Sequence, residues 1–339
     1  MRKISLPAAL FFISIILFLS AGFLFLSSSV SSNESVIISP VVSDITASNI
    51  FETDLFSKVK SQKTLDNYPP NSHFPRNTQA SQNIDLDIKA NSYAVMDRDT
   101  KELILGKNIT TEAQIASLVK VMTAVVALEK ENTEKEIVIS KLASTVGEAT
   151  MGLSYGESYT LSELLYGLLM VSGNDAAESI ASSLGRGRNW FISEMNKKVI
   201  DLGMYDTYFV NPTGLDGNTK EESTFSTSLD LLALTDYALE NETFAQIVST
   251  KYHTITYDEN YHKSIYLENL ISFDATYPGI KGVKTGNTDF AGQTLISYAE
   301  NNGRRIIVVI LGSTGTRDDA IKIYKYLFEN ITNTTNKYQ

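Results

Sequence analysis

The chain has 339 residues, 43% apolar and 20% charged, which suffices for one large or two small domains with a substantial core. A net charge of −10 without any basic run excludes a typical nucleic-acid binder. There is no cysteine and only three histidines, so disulfides, thiolate metal sites and a cysteine nucleophile are excluded, and no metal or cofactor is expected.

The chain opens with a short tip, residues 1–3, in which Arg2 and Lys3 precede an uncharged run from Ile4 to Leu26. At about 1.5 Å per residue that run reaches roughly 35 Å, enough to cross a bilayer. It is expected to be an uncleaved signal anchor, residues 4–26. The Ser-rich stretch after it also allows a cleaved signal peptide. Either way the positive flank stays inside and the rest faces outward. Residues 27–87, rich in Ser, Asn, Thr and Gln, read as a disordered extracytoplasmic linker containing His73. Within it "NIFETDLFSKVKS" allows a short helix.

Order is expected from about Asp87. "NSYAVMDRDT" and "KELILGKN" read as two strands, and "IASLVKVMTAVVALEK" as a helix. "KEIVISKLAS" is extended. "TLSELLYGLLMV" has a capped helical start at Thr160 and stops at "SGND". "AAESIASSLG", "RNWFISEMNKKVIDLG" and "STSLDLLALTDYALEN" are helices. "GQTLISYAE" and "NGRRIIVVILG" form an apolar hairpin, and "TRDDAIKIYKYLFEN" is a last amphipathic helix. Strands at both ends with helices between predict an α/β (α+β) fold: an antiparallel sheet flanked by helices, plus an all-helical region.

Three clusters could carry chemistry. Ser117 and Lys120 share one helical face. A neutral lysine could activate that serine, and the N–H groups of the helix start could hold an oxyanion. Alone, the pair is better read as a helix cap and a snorkelling lysine. Ser172 and Asn174 lie in "SGND", where Ser172 could relay a proton and Asn174 meet a substrate carbonyl; alone, the stretch is better read as a plain turn. Lys284, Thr285 and Gly286 in "GVKTGNTDFAGQTLIS" could bind a carboxylate beside a strand edge that accepts an extended peptide. A strand with a surface lysine and a glycine bulge is the alternative.

The ordered series S-x-x-K, S-G-N and K-T-G, with "NPTGLDG" and "GESYTLSELLYGLLMVSGNDAAESIA", resembles low-molecular-mass penicillin-binding proteins of the serine-type D-Ala-D-Ala carboxypeptidase family. The resemblance covers the domain taken as 88–331, leaving a tail, 332–339. It implies a β-lactamase/transpeptidase-like fold and an acyl-enzyme on Ser117, with Lys120 as base and Ser172 in proton transfer. It further implies Asn174 on the substrate amide and Lys284, Thr285, Gly286 and Arg305 around the terminal carboxylate. The N–H groups of Ser117 and Asn287 would form the oxyanion hole. The implied partners are peptidoglycan stem peptides and, as covalent inhibitors, β-lactams. A monomer at the cytoplasmic membrane is expected, with no nucleic acid.

Departures are Asn287, where relatives often have His or Tyr after K-T-G, and "KEESTF", where a His is often found. The C-terminal β-domain and amphipathic anchor of many relatives are expected to be absent. No E-x-x-L-N follows the second motif, which argues against a class A β-lactamase. A D,D-endopeptidase acting on cross-links shares every motif and stays open. The intact motifs argue against a non-catalytic wall-binding module.

Overall fold

The structure, a computed structural model, describes residues 73–81, 84–271 and 277–330. In chain order come β1 (Ser92–Asp97), β2 (Glu102–Lys107), β3 (Ala113–Gln114), a 3-10 turn (Ala116–Val119) and α1 (Lys120–Lys130). Then follow β4 (Glu136–Val138), α2 (Lys141–Ser144), β5 (Ser158–Thr160), α3 (Leu161–Met170), α4 (Asn174–Ser183) and α5 (Arg188–Leu202). After β6 (Phe225–Ser226) come α6 (Ser228–Ala238), α7 (Glu242–Ser249), β7 (Tyr252–Ile255) and β8 (Ile265–Glu268). The chain then forms β9 (Ile280–Thr288), β10 (Gly292–Asn301), β11 (Arg304–Ser313) and α8 (Thr316–Lys325), and a π-helical turn covers Tyr326–Asn330.

The main sheet has the order β2-β1-β11-β10-β9, antiparallel throughout. Its strands come from the two ends of the ordered region, as the expected layout requires. Val95, Ile306, Val308 and Ile310 face Ala320, Ile323, Tyr324 and Phe328. Alternate residues Ala94, Met96, Ile307 and Val309 are equally buried on the other face, against α6. Burial on both faces explains why "IIVVIL" is continuously apolar instead of alternating. Asn302 and Gly303, both with positive φ, make the tight β10–β11 turn.

The helical region is centred on α1, whose residues Lys120 to Ala127 are all buried. Helix α3 starts with a reciprocal cap: Thr160 Oγ1 accepts from the Glu163 N–H at 3.2 Å, and the Thr160 N–H donates to Glu163 Oε2 at 2.8 Å. Its end, at Met170, delivers Ser172 and the start of α4 to the front of α1.

Order begins before Asp87. Phe74 is buried, and the N–H groups of Arg76 and Ser81 donate to the carbonyls of Lys101 and Leu103 at 2.9 Å each. His73, read as a polar linker residue, meets Asp236 through Nδ1 at 2.6 Å. Residues 73–81 thus continue the edge of the domain. The extended reading of "KEIVISKLAS" is also corrected at its end. Ser140 accepts from the Ala143 N–H at 3.1 Å and caps the short helix α2. Among the described residues no helix is long and apolar enough to cross a membrane. The tip, the 4–26 segment, the "NIFETDLFSKVKS" helix and the 332–339 tail lie outside the described residues.

Candidate active site

Ser117 lies in the first turn of the 3-10 helix, where N–H groups have no intrahelical acceptor. The residue before it, Ala116, has φ 50, a left-handed conformation rare without glycine. Gly214, itself at φ +82, packs so tightly here that a Cβ would fall 2.1 Å from the Ala116 carbonyl oxygen. The "NPTG" loop is therefore moulded to the turn that carries Ser117.

Lys120 is fully buried, and its Nζ lies 2.8 Å from Ser117 Oγ, 2.8 Å from Asn174 Oδ1 and 2.5 Å from the Thr213 carbonyl oxygen. Asn174 Nδ2 donates to the Gly147 carbonyl at 3.0 Å, which orients the amide with its oxygen toward Lys120. Burial pushes the Lys120 ammonium well below the ordinary lysine range, and the Lys284 cation adds to the push; Glu148 and Asp175 oppose it. A neutral amine has two N–H donors and one lone pair. Asn174 Oδ1 and the Thr213 carbonyl can only accept, so they take the two donors. The lone pair is left to accept from the Ser117 hydroxyl. That is the arrangement of a general base on a serine nucleophile.

The third cluster sits on β9, the edge strand of the sheet. A Cβ on Gly286 would lie 3.0 Å from the Ser117 nitrogen and 2.5 Å from Thr294 Oγ1. Only glycine lets the strand approach the turn that carries Ser117 this closely. Thr294 donates to the Ile115 carbonyl at 3.1 Å, joining sheet and turn. Lys284 is buried and donates to the Thr285 carbonyl at 2.8 Å; burial pushes it down to about 7. Thr285 and Asn287 continue β9 opposite Leu295 and Gln293. Ser172, buried with φ 63, lies two residues before Asn174.

One expectation needs correction. Arg305 is not at this site. It pairs across β10 with Glu300, while Lys284 pairs with Ile296, so about 14 Å of strand separates the two positions. Its guanidinium instead binds Asp99. Neighbouring Arg304 turns to Asp97 and the Leu327 carbonyl. Asn174 engages Lys120 and Gly147 before any substrate, which leaves one amide N–H.

Other residues complete the site without a side-chain motif to announce them. Asn211 Oδ1 accepts from the N–H groups of Thr213 and Gly214 at 3.1 and 2.6 Å, which aims the Thr213 carbonyl at Lys120. Asp175 accepts from four N–H groups, those of Met151, Gly152, Leu153 and Ala176, at 2.9–3.0 Å. It thereby fixes the loop beside Asn174. Asp216 accepts from Thr288 Oγ1 at 2.9 Å and the Phe290 N–H at 3.0 Å, holding the turn after Asn287. Arg317, exposed in the first turn of α8, follows the β11 end at Ser313, which pairs with Gln293 and through it neighbours Asn287. The "GLDG" turn and the cation after a terminal strand are the sequence signals that could have pointed to the last two.

Away from the cleft, His73, Asp236 and Glu240 bring three ligand-type atoms together. Asp236 already meets Lys101 Nζ at 2.5 Å and Arg98 Nε at 3.2 Å, so the group is an ion-pair knot that disfavours an added cation.

The model of a family described as D-alanyl-D-alanine carboxypeptidase matches residues 76–315. The chain is 30% identical over 248 residues to D-alanyl-D-alanine carboxypeptidase DacF of Bacillus subtilis, covering 72% of this chain and 62% of that protein. It thus spans less than two thirds of that relative's length. A protein named D-alanyl-D-alanine endopeptidase, from Pseudomonas aeruginosa, is 28% identical over 248 residues, covering 71% of this chain and 78% of its own. The crystal structure of a D-alanyl-D-alanine carboxypeptidase from Mycobacterium tuberculosis superimposes with a TM-score of 0.68 at 30% identity, covering 74% of this chain and 95% of that one.

Proposed function

We propose that this chain, which belongs to the D-alanyl-D-alanine carboxypeptidase family, removes the terminal D-alanine from peptidoglycan stem peptides through an acyl-enzyme on Ser117. The observation that carries the reading is the set of Lys120 contacts, in which a neutral amine keeps its lone pair for Ser117. The substrate lies as an extra strand along the edge of β9. Lys284 and Thr285 meet its terminal carboxylate, and Arg317 takes the part first given to Arg305. Ser117 Oγ attacks the carbonyl carbon as its proton passes to Lys120 Nζ. The N–H groups of Ser117 and Asn287 take the oxyanion, and the remaining Asn174 N–H meets a substrate carbonyl. The C–N bond then breaks, a proton reaches the leaving amine through Ser172, and D-alanine departs. Water attacks the ester, with Lys120 again accepting a proton, and frees Ser117. β-Lactams acylate the same serine.

The apolar run after Arg2 and Lys3 supports anchoring in the cytoplasmic membrane with the domain facing outward. Labelling the full chain with a fluorescent penicillin tests the site: the wild type takes up label and Ser117→Ala does not. A folded wild type that takes up none ends the proposal. The endopeptidase-named relative favours one second reading, cleavage of cross-links. Release of D-alanine from pentapeptide monomers supports the carboxypeptidase; loss of cross-linked dimers without that release supports the endopeptidase.

A further inference from the structure

The hairpin β7–β8 presents tyrosines to solvent. Tyr252 and Tyr266 are 59% and 63% exposed, and Tyr257 and Tyr261 in its turn are 69% and 45% exposed. Burial alternates along both strands. Ile255, Ile265 and Leu267 face inward, and His253 stacks on Tyr166 of α3 with centroids 3.6 Å apart. Tyr252 and Tyr266 are therefore on the outer face, set diagonally across the ribbon, with centroids 6.2 Å apart and rings within 15° of parallel. Core packing requires none of these outward rings, and so many exposed aromatics on one element mark an interaction surface.

Its position says what it meets. At one end the Leu270 N–H donates to the Met170 carbonyl at 3.0 Å, two residues before Ser172. At the other, the Ser158 N–H donates to the Tyr261 carbonyl at 3.1 Å, and Lys263 Nζ reaches Ser154 Oγ at 2.6 Å, next to the 71% exposed Tyr155. The aromatic row thus follows α3 between two segments that border the cleft, the Met170 end before Ser172 and the loop that Asp175 holds. A stem peptide is a side branch of a sugar polymer, so a surface that flanks the cleft over this length is where that polymer would pass. Nearly parallel, amphipathic rings offer flat faces to the C–H faces of pyranoses and hydroxyls to their polar rims.

We infer that the outer face of β7–β8 binds the N-acetylhexosamine glycan strand to which the stem peptide is attached; this rests on the proposed stem-peptide reading of the cleft. The test is co-sedimentation of the full chain, in detergent, with glycan strands stripped of their peptides. The wild type is expected to be retained. Tyr252→Ala combined with Tyr266→Ala should weaken retention at least tenfold, while the corresponding Phe pair keeps most of it and penicillin acylation is unchanged in both. Failure of the wild type to bind, or equal binding by the Ala pair, overturns the inference. So does a tyrosine-dependent gain on sugar-free phospholipid vesicles, or a tyrosine-dependent dimer in sedimentation velocity. Penicillin labelling of the wild type separates the two readings: without it the cleft assignment fails even where the glycan is bound.

Discussion

Lys120 has three oxygen neighbours but, once neutral, only two protons to give them. Lys120→Arg restores a permanent cation with no lone pair at working pH. It should cut penicillin acylation by roughly 10²–10⁴-fold, the worth of a general base, with the domain still folded by circular dichroism. Lys284 adds a pH signature. The proposed mechanism needs Lys120 neutral and Lys284 charged, so the free-enzyme acylation rate should rise on an acid limb and fall on an alkaline limb near pH 7. Lys284→Met should remove the alkaline limb. It should also move the acid limb to higher pH, because the cation that helps hold Lys120 down is gone. Stability follows the same shifts. The two buried lysines give up their protons at lower pH in the folded state than in the unfolded chain, so their contribution to unfolding free energy should grow with pH above about 7, until near pH 10 the buried tyrosines, whose folded values are raised, oppose it. Ser117, Lys120 and Lys284 are legible in the sequence because the proposed chemistry runs through their side chains. Thr213 is not, since it works through a carbonyl, and Arg305 misleads because adjacent arginines at a hairpin say nothing about which end of the sheet holds the site.

At the scale of elements, the site exists because β9 touches the 3-10 turn, and Gly286 is the point of contact. Its missing side chain leaves room for Thr294 Oγ1 and the Ser117 nitrogen. Gly286→Ala should push Thr294 off the Ile115 carbonyl and displace the nucleophile turn by a few tenths of an ångström. Misplacement near a reacting centre is costly, and acylation should fall by on the order of 10²-fold. Stopped-flow acylation by a reporter penicillin measures this, and an unchanged rate would mean that β9 does not border the reacting serine. The principal helices and the β10–β11 hairpin are readable from period and turn chemistry. The β7–β8 hairpin is not, because its outward tyrosines and inward isoleucines blur polar–apolar alternation. The β3–β6 pairing, two residues on each side, is too short for any period.

At the scale of the molecule, the sheet joins both ends of the ordered chain, and residues 73–81 extend that closure at the N-terminal side. Composition hides this, since a polar stretch holding one buried phenylalanine reads as linker. The segment is tied to α6 by Asp236, which meets His73 Nδ1 at 2.6 Å, Lys101 Nζ at 2.5 Å and Arg98 Nε at 3.2 Å. Burial raises the Asp236 carboxyl, but the bonds from His73 and Lys101 outweigh it and hold the group below its ordinary range. A depressed carboxylate stabilises above its unfolded pKa and loses that contribution as pH falls through the folded value. Asp236→Asn should therefore cost about 3 kcal/mol near neutrality, as expected for breaking a buried ion pair. The deficit should shrink as pH falls below about 4, where the carboxyl of the unfolded chain protonates first, and disappear below the depressed folded value. Urea unfolding of both proteins across that range checks the sign. A deficit that stays constant with pH would mean that Asp236 acts through packing or neutral hydrogen bonds, and that the charge does not fasten the N-terminal segment to the domain.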